Sequence, residues 1–360
     1  MRGMRCLALT CAWFAFAAPA LAEKAVPGEQ APAMAASTAA ASSPSPAAPP
    51  SETAQARDKA QLAYQRDLVS VLAPRADAMP LLGAALLARP LFNQPPGNTF
   101  HALIDRANQA EGSGPAINWV RLADCDAKAG NCPNPAALKA LLQQAPDNAA
   151  VWLVKLGVDA RHQDQDAARE DLHKAATAKV YDDYAGISLK ALANSGVLPP
   201  PADTLDPGHA AGAVGMQAMM IYGLASTQPQ PRLQLVAKLC ENAGSDASIK
   251  ADCLSLGKLL EWGSSPLARS LGLHLREVLA DEAEQQQARE ARRTLIWQVR
   301  NFNQLLARVR DDASLARHLL SLARNGGTEM SLQLAALRDD NIPVDPPADW
   351  GEERAVRGEE

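Results

Sequence analysis

Residues 145–178 read APDNAAVWLVKLGVDARHQDQDAAREDLHKAATA, and this stretch decides the fold class of the chain. Helix-forming residues fill both of its halves, and a polar turn separates them. Pro146 precedes Trp152 by six residues in the first half. In the second half, small and large apolar residues recur at helical spacing: Ala168, Leu172 and Ala175. The stretch therefore predicts two antiparallel helices that share an apolar seam.

The same helical composition continues through residues 52–345. Ala, Leu, Arg, Gln and Glu dominate this region, and the two-residue alternation that is typical of strands is absent. Turn signals such as NQPPGN and GNCPNP interrupt segments of roughly 10–18 residues. Ser265 before Pro266 and Thr328 near the end are placed to cap helices. We predict an all-α domain of antiparallel helical hairpins, arranged as an α-solenoid or an irregular bundle.

The stretch at 145–178 resembles a tetratricopeptide repeat, a two-helix unit of about 34 residues. Trp119 lies 33 residues before Trp152, which suggests a preceding and more degenerate unit. Tyr181 and Tyr184 could begin the first helix of a third unit, so the resemblance covers residues 116–194. A plain helical bundle with accidental spacing is the alternative interpretation.

The resemblance implies a concave groove that binds an extended peptide or a partner helix. It also implies that Trp152 is buried between helices, in contact with three leucines: Leu138, Leu141 and Leu172. One feature departs from the family pattern. The leucine-glycine pair that should follow the aromatic residue falls one position late, at Leu156 and Gly157. The close helix contact that this glycine allows is therefore expected to be displaced or remodelled.

Four cysteines follow the N-terminal region, and they allow three pairings. We predict Cys125–Cys132 and Cys240–Cys253. Gly130 and Pro133 would break a helix between or beside the first pair, so that the chain can fold back. The second pair flanks the tip of a helical hairpin. Neither spacing is CxxC and no histidine is near in sequence, so zinc binding and redox catalysis are the less favoured alternatives.

The first 22 residues predict export. Arg2 and Arg5 precede a short apolar run, which ends in the small-x-small pattern of a secretory cleavage site at Ala20-Leu21-Ala22. We predict cleavage after Ala22 and a periplasmic or secreted protein. Acylation at Cys11 is disfavoured because the apolar run continues beyond it.

The composition of the chain limits the classes of partner that it can bind. Loss of the two N-terminal arginines lowers the basic count from 35 to 33, against 40 acidic residues, for a net charge of −7. This balance argues against nucleic-acid binding and against anionic lipid. Residues 23–51 form an Ala/Pro/Ser-rich tract that we predict to be a disordered linker. Residues 346–360 are predicted to be a loose acidic tail, and no later run is apolar enough for stable membrane insertion.

The sequence motifs that would indicate catalysis are weak. Ser255 and Lys258 match the SxxK pattern of penicillin-recognising enzymes, but its supporting elements are absent and the pair lies in an amphipathic helix. Asp182 and Asp183 are neighbours that point apart on a helix. The histidines are scattered: His101, His162, His173, His209, His274 and His318. The sequence therefore predicts no catalytic residue and no cofactor-binding residue.

Two further segments each allow two interpretations. Met216, Met219 and Met220 form a thioether cluster that could attract Cu(I), although methionines at helical spacing more often fill a core. Residues 267–310 predict either one long projecting helix or two helices with an exposed joint. Trp297 and Phe302, near the end of that segment, are candidates for partner binding. The sequence therefore predicts no metal ligand.

Together these features predict an exported helical-repeat protein that acts as an interaction module of the cell envelope, with a protein or peptide partner. The alternative is an envelope enzyme whose site is assembled from dispersed residues without a motif. An open groove would favour binding, whereas a concave pocket with converging titratable groups would favour the enzyme.

Overall fold

The computed structural model describes residues 52–128, 130–244 and 246–351. Over these residues the chain is all helical: 68% of them are in helices and none is in a strand. The 15 α-helices of the described residues are α1 (Glu52–Leu72), α2 (Ala78–Ala88), α3 (Phe100–Gln109), α4 (Pro115–Arg121), α5 (Pro135–Gln144), α6 (Ala149–Arg161), α7 (Gln165–Thr177), α8 (Ala185–Asn194), α9 (Gly212–Ala225), α10 (Leu233–Glu241), α11 (Ala247–Leu260), α12 (Pro266–Leu279), α13 (Glu282–Arg308), α14 (Ala313–Asn325) and α15 (Glu329–Asp339).

Several predictions fall outside the described residues. These are the signal peptide at 1–22 with its cleavage after Ala22, the linker at 23–51, and the end of the acidic tail from residue 352.

Side chains at the helix starts explain where many helices begin. A side-chain oxygen accepts a hydrogen bond from a backbone N–H of the first turn and so satisfies a donor that has no helical partner. Residues that cap in this way are Thr99, Asn134, Asn148, Asp164, Asp246, Asp281, Asp312 and Thr328. The predicted cap at Thr328 is confirmed. Ser265 also stands at the N-cap position of α12, but its hydroxyl makes no capping bond there.

Two large hydrophobic cores and a small third one, between α12, α13 and α15, hold the helices together. The first contains residues of α1 to α4, α8, α9 and α13 to α15. The second contains residues of α4 to α7 and of α10 to α12. Ile187 of α8 packs against both cores. Helix α8 contacts α2 and α14, and α7 contacts α11, so helices pair with distant partners as well as with their neighbours in sequence.

The predicted hairpin at 145–178 is formed by α6 and α7. Its apolar seam is buried at the expected positions: Ala168, Leu172 and Ala175. An ion pair adds a polar link between the two helices, since Lys155 of α6 lies 2.9 Å from the carboxylate of Asp171 on α7. Lys155 also lies 2.6 Å from Asp159, one turn further along α6.

The expected burial of Trp152 is wrong. Its ring is only partly buried: it packs against the second core, and the ammonium of Lys174 lies 4.7 Å from the ring centroid. The indole N–H donates to the carbonyl of Pro146 at 2.7 Å, which keeps the ring near the helix start. Trp119 is the fully buried tryptophan of this region. The physical reason lies in the partners of each ring: remote segments contact Trp119 through the Pro229 carbonyl and the Tyr184 ring, whereas the polar contacts of Trp152 are with Pro146 and Lys174 of its own hairpin region.

The two disulfides join the cysteines that the sequence pairs. Cys125 and Cys132 are bonded with a Cα–Cα distance of 5.2 Å, and Cys240 and Cys253 with 5.7 Å. Cys240 and Cys253 are completely buried and belong to the second core, where they clip α10 to α11. The first disulfide closes the turn between α4 and α5.

Residues 267–310 form two helices, α12 and α13, with their joint at residues 280 and 281. The described part of the C-terminal tail is not loose, which corrects our expectation for residues 346–351. Trp350 lies edge-on to Trp297 with 5.4 Å between ring centroids, and Arg293 Nε donates to the Trp350 carbonyl at 2.9 Å. Phe302 is buried in the first core. The chain itself therefore covers the aromatic residues that we considered for a partner.

Candidate functional site

A cleft of about 250 Å³ opens between α6 and the loop that precedes α10. Helix α6 contributes Val154, Gly157 and Arg161 to its wall, and residues 229–232 form the opposite side. The Cys125–Cys132 disulfide closes a third side. Most of this lining is apolar, which is typical of a site that binds an apolar side chain with a few polar contacts.

Long-range hydrogen bonds build the cleft. The buried Trp119 donates its indole N–H to the Pro229 carbonyl at 3.1 Å, which fixes the loop before α10 onto α4. The ring of Trp119 also packs against Tyr184 with 5.8 Å between centroids. On the other side, Arg161 donates to the carbonyl of Cys132 at 2.6 Å. The walls of the cleft are thus fixed by contacts between four separate parts of the chain.

The charged groups of the cleft are cationic. Arg161 and Arg232 both line it, and no carboxylate is among the lining residues. Both arginines are exposed. Within the described part of the chain, the side chain of Arg232 makes no ion pair and no hydrogen bond. Since the whole chain carries a net charge of −5, this cleft is a local positive site on an acidic protein.

Gly157 faces this cleft and does not mediate a close helix contact. A Cβ atom at Gly157 would lie 3.5 Å from Cδ of Arg232, which is ordinary van der Waals distance. The close helix approach occurs between α11 and α12 instead. A Cβ atom at Gly272 would lie 2.5 Å from the backbone nitrogen of Glu261, so only glycine fits there. Because Gly157 has no side chain, the side chain of Arg232 can lie against this face of α6.

A buried polar cluster lies where α8, α12 and α15 meet. Asp183 is fully buried, and the Ser264 hydroxyl donates to its Oδ1 at 3.1 Å. Its other oxygen, Oδ2, has no hydrogen-bond partner among the described residues. Burial raises the pKa of Glu329 to about 7, and the charge of Asp183 acts in the same direction. Burial also raises the pKa of Tyr181 well above its ordinary value.

This cluster contains groups that could exchange a proton near neutral pH. However, none of its residues lines the cleft or either of the two other cavities described below. Backbone contacts surround it closely: the amide of Met330 donates to the Ser264 carbonyl at 3.0 Å, and the amide of Ser264 to the Tyr181 carbonyl at 3.2 Å. Its arrangement fits a polar joint between helices.

A second cavity, of about 500 Å³, lies between α1 and α9. The three neighbouring methionines of the sequence all line it: Met216, Met219 and Met220. Gln61 and Leu62 of α1 are on the opposite side. A third cavity, of about 200 Å³, is acidic, but its carboxylates already have basic side chains beside them: Arg308 lies 2.9 Å from Asp340, and His318 lies 2.9 Å from Asp339.

The remaining candidate residues from the sequence lie at separate places in the structure. Ser255 is exposed, and Lys258 pairs with Glu284 of α13 at 2.8 Å. Five of the histidines lie within 3.0 Å of a carboxylate on the surface, in the pairs His101–Asp124, His173–Asp252, His209–Asp311, His274–Glu241 and His318–Asp339. His162 ends α6. No two of these histidines are brought to one site by a shared partner.

Two structural features are absent from the described residues. No helix among them is sufficiently long and apolar to cross a membrane. No group of three or more His, Cys, Asp or Glu side chains among them is arranged to hold a metal ion.

The sequence did not indicate the cationic cleft. Arg161 and Arg232 are 71 positions apart, and neither belongs to a recognisable motif. The one local signal was Gly157, whose unusual position in the repeat-like pattern marked this face of α6.

Comparison with known proteins identifies no relative. No protein-family model, no curated protein and no solved structure matches this chain. The tetratricopeptide resemblance of residues 116–194 therefore rests on the residues of the chain alone.

Proposed function

We propose that this chain is an exported interaction protein that binds the acidic or free-carboxylate end of an extended peptide in the cleft between α6 and residues 229–232. The observation that carries the proposal is the pair Arg161 and Arg232 on an apolar cleft without a carboxylate partner. A guanidinium group forms two parallel hydrogen bonds with a carboxylate, so it suits such a ligand better than an ammonium group does.

The size of the cleft supports a peptide end as the ligand. Its volume of about 250 Å³ is below the roughly 300–1,000 Å³ of pockets that enclose a small molecule. It has room for roughly one or two residues of a peptide, while the rest of the ligand would lie on the open surface. The resemblance of residues 116–194 to tetratricopeptide repeats supports the same class of ligand.

Two further features support export. The first 22 residues have the pattern of a signal peptide. The chain also contains two disulfides, and such bonds persist in oxidising compartments. We therefore propose the periplasm or the extracellular space as the place of function, with a protein or peptide as the partner.

Peptide binding to the mature chain, residues 23–360, tests this proposal. Fluorescence polarisation would compare an Ala/Leu-rich peptide with a free C-terminal carboxylate, its amidated form, and an amidated form that contains internal Glu residues. We expect Arg232→Ala to weaken binding of the free acid by about 10–100-fold, because a charge-assisted hydrogen bond contributes about 1.5–3 kcal/mol.

Arg317→Ala is the matched control. Arg317 is exposed on α14, outside the cleft, and its replacement should leave the affinity unchanged. Equal binding by the parent and by Arg232→Ala would place the ligand elsewhere. Failure of all three peptides to bind the parent chain at millimolar concentration would remove the proposal.

The alternative function, an envelope enzyme, is supported by one feature: the buried cluster of Asp183 and Glu329. The raised pKa of Glu329 is of the kind that proton-transfer sites use. We favour the binding function because the cationic cleft is open to a ligand and lies on the repeat-like segment, whereas the cluster is enclosed by backbone contacts.

A further inference from the structure

Three methionines on α9 converge on one cavity. Met219 and Met220 follow Met216 by three and four residues, so each of them is a neighbour of Met216 on the helix surface. All three line the cavity of about 500 Å³ between α1 and α9. Residues three and four apart on a helix have Cβ atoms about 5–6 Å apart, so flexible methionine side chains can bring their sulfur atoms to a common point.

Core filling explains two of these residues but not the third. Met216 and Met220 are partly buried and pack against the first core. Met219 does not belong to that packing, and 43% of it is exposed. By contrast, Met330 is fully buried in its own small core, as expected for a methionine that only fills space. Met219 therefore leaves its thioether accessible to a ligand at the mouth of the cavity.

The chemistry of the cavity selects a soft monovalent cation. Thioether sulfur is a neutral and soft donor that favours Cu(I) over Zn²⁺, Mg²⁺ or Ca²⁺. No histidine lines the cavity, so Cu(II) lacks its preferred imidazole donors. The carboxylate of Asp58 lines it as well and adds negative potential without placing a hard ligand set there. The described cysteines are all in disulfides, so no thiolate in that part of the chain competes for the ion.

We propose that Met216, Met219 and Met220 bind one Cu(I) ion through their three thioether sulfurs at the mouth of this cavity. The ion enters as Cu(I) and leaves as Cu(I), so the site needs no electron donor and forms no covalent bond with another substrate. The function would be to carry or buffer the ion, and it is independent of peptide binding at the cationic cleft.

Competition with a chromophoric Cu(I) chelator tests this site. The mature chain, residues 23–360, would be titrated with Cu(I) under anaerobic conditions, and ion transfer would be followed by the loss of chelator absorbance. We expect one equivalent to bind. Met219→Leu should weaken binding by at least the roughly 10–100-fold that loss of an outer-sphere partner costs at metal sites. The triple variant with leucine at 216, 219 and 220 should not bind.

Met79→Leu is the matched control, because Met79 is also exposed, at 36%, but lies on α2 outside the cavity. It should bind Cu(I) like the parent. Circular dichroism of each variant establishes that the helices are retained. Ag(I), a redox-inert ion of the same charge, provides a second measurement: methyl resonances of the three methionines should shift, and those of Met79 and Met330 should not.

Two results would overturn the proposal. One is that the parent chain takes no Cu(I) from a chelator of micromolar affinity. The other is that the triple variant binds as well as the parent, which would assign the ion to other groups, such as Met34 outside the described residues.

Discussion

The indole N–H of Trp119 donates a hydrogen bond to the carbonyl of Pro229, 110 residues further along the chain, at a distance of 3.1 Å. This contact joins the start of the repeat-like segment to the loop before α10. Because that loop carries Arg232, the position of one buried indole determines the shape of the cationic cleft. Stability and ligand binding should therefore depend together on Trp119.

Trp119→Ala should lower the free energy of unfolding by about 3–5 kcal/mol, since it leaves a large cavity in the second core. Trp119→Phe keeps an aromatic ring but loses the N–H that donates to the Pro229 carbonyl. It should lower the free energy of unfolding by about 1–3 kcal/mol beyond the loss that the smaller side chain causes by itself. Denaturant unfolding with the disulfides intact measures both effects.

Trp262→Ala is the control for Trp119, because Trp262 is 76% exposed and its replacement should change stability by no more than about 0.5 kcal/mol. Trp350 is unsuitable as a surface control, since it packs on Trp297. If Trp119→Ala unfolded at the same denaturant concentration as Trp262→Ala, the assignment of Trp119 to the core would be incorrect.

The ion pair between Lys155 and Asp171 should be a strong link between α6 and α7. Asp171 is almost completely buried, and burial raises its pKa, while the hydrogen bond from Lys155 opposes that rise. Lys155→Met should therefore cost about 3 kcal/mol at pH 7, because it leaves a buried carboxylate without its cation. Thermal or denaturant unfolding measures the loss.

The double variant Lys155→Met with Asp171→Asn supplies the check on this explanation. It removes both charges, so it should recover much of the stability that the single change loses. An equally unstable double variant would mean that Lys155 stabilises through the packing of its aliphatic stem and not through its charge.

Stability should fall as pH rises between about 4.5 and 7 through Glu329. Its pKa is raised from 4.5 to about 7 in the folded protein. In that window the native state holds the proton of Glu329, whereas the unfolded state releases it. The stability that this proton provides is therefore complete below the pKa of the unfolded state, and it is lost as pH rises through the pKa of the folded state. The full effect is about 3–4 kcal/mol as an upper bound.

Glu329→Gln isolates this contribution. The amide stays neutral at every pH and can still accept the hydrogen bond that Gln333 donates to Glu329 at 3.2 Å. Unfolding curves at pH 4.5 and pH 8 should show a smaller loss of stability for the variant than for the parent. Identical pH dependence of the two proteins would show that Glu329 is ionised in the native state.

The two disulfides should differ in their resistance to reduction. Cys240 and Cys253 are fully buried, whereas Cys125 and Cys132 are partly exposed beside the cleft. Mild reductant under native conditions should therefore open Cys125–Cys132 first, because thiolate attack requires access to sulfur. Alkylation and peptide mapping at successive times measure the order. Simultaneous reduction of both bonds, or a peptide that links Cys125 to Cys253, would contradict this assignment.

Much of the helical architecture could be predicted because its causes are local. A capping side chain such as that of Thr328 bonds the backbone only a few residues away, and turn signals interrupt the helices at regular intervals. The disulfide pairs are local as well, with separations of 7 and 13 residues. Composition and spacing carry this information without knowledge of distant contacts.

The helical class, the hairpin at 145–178 and the partners of the four cysteines could thus be predicted from local patterns. Three features became apparent from the packed structure alone: Trp119 and not Trp152 is the fully buried tryptophan, Trp350 covers Trp297, and Arg161 and Arg232 share one cleft. These features depend on surfaces that remote segments supply, so no local pattern could indicate them. Spacing along one helix states which face a residue occupies, but not what will lie against that face.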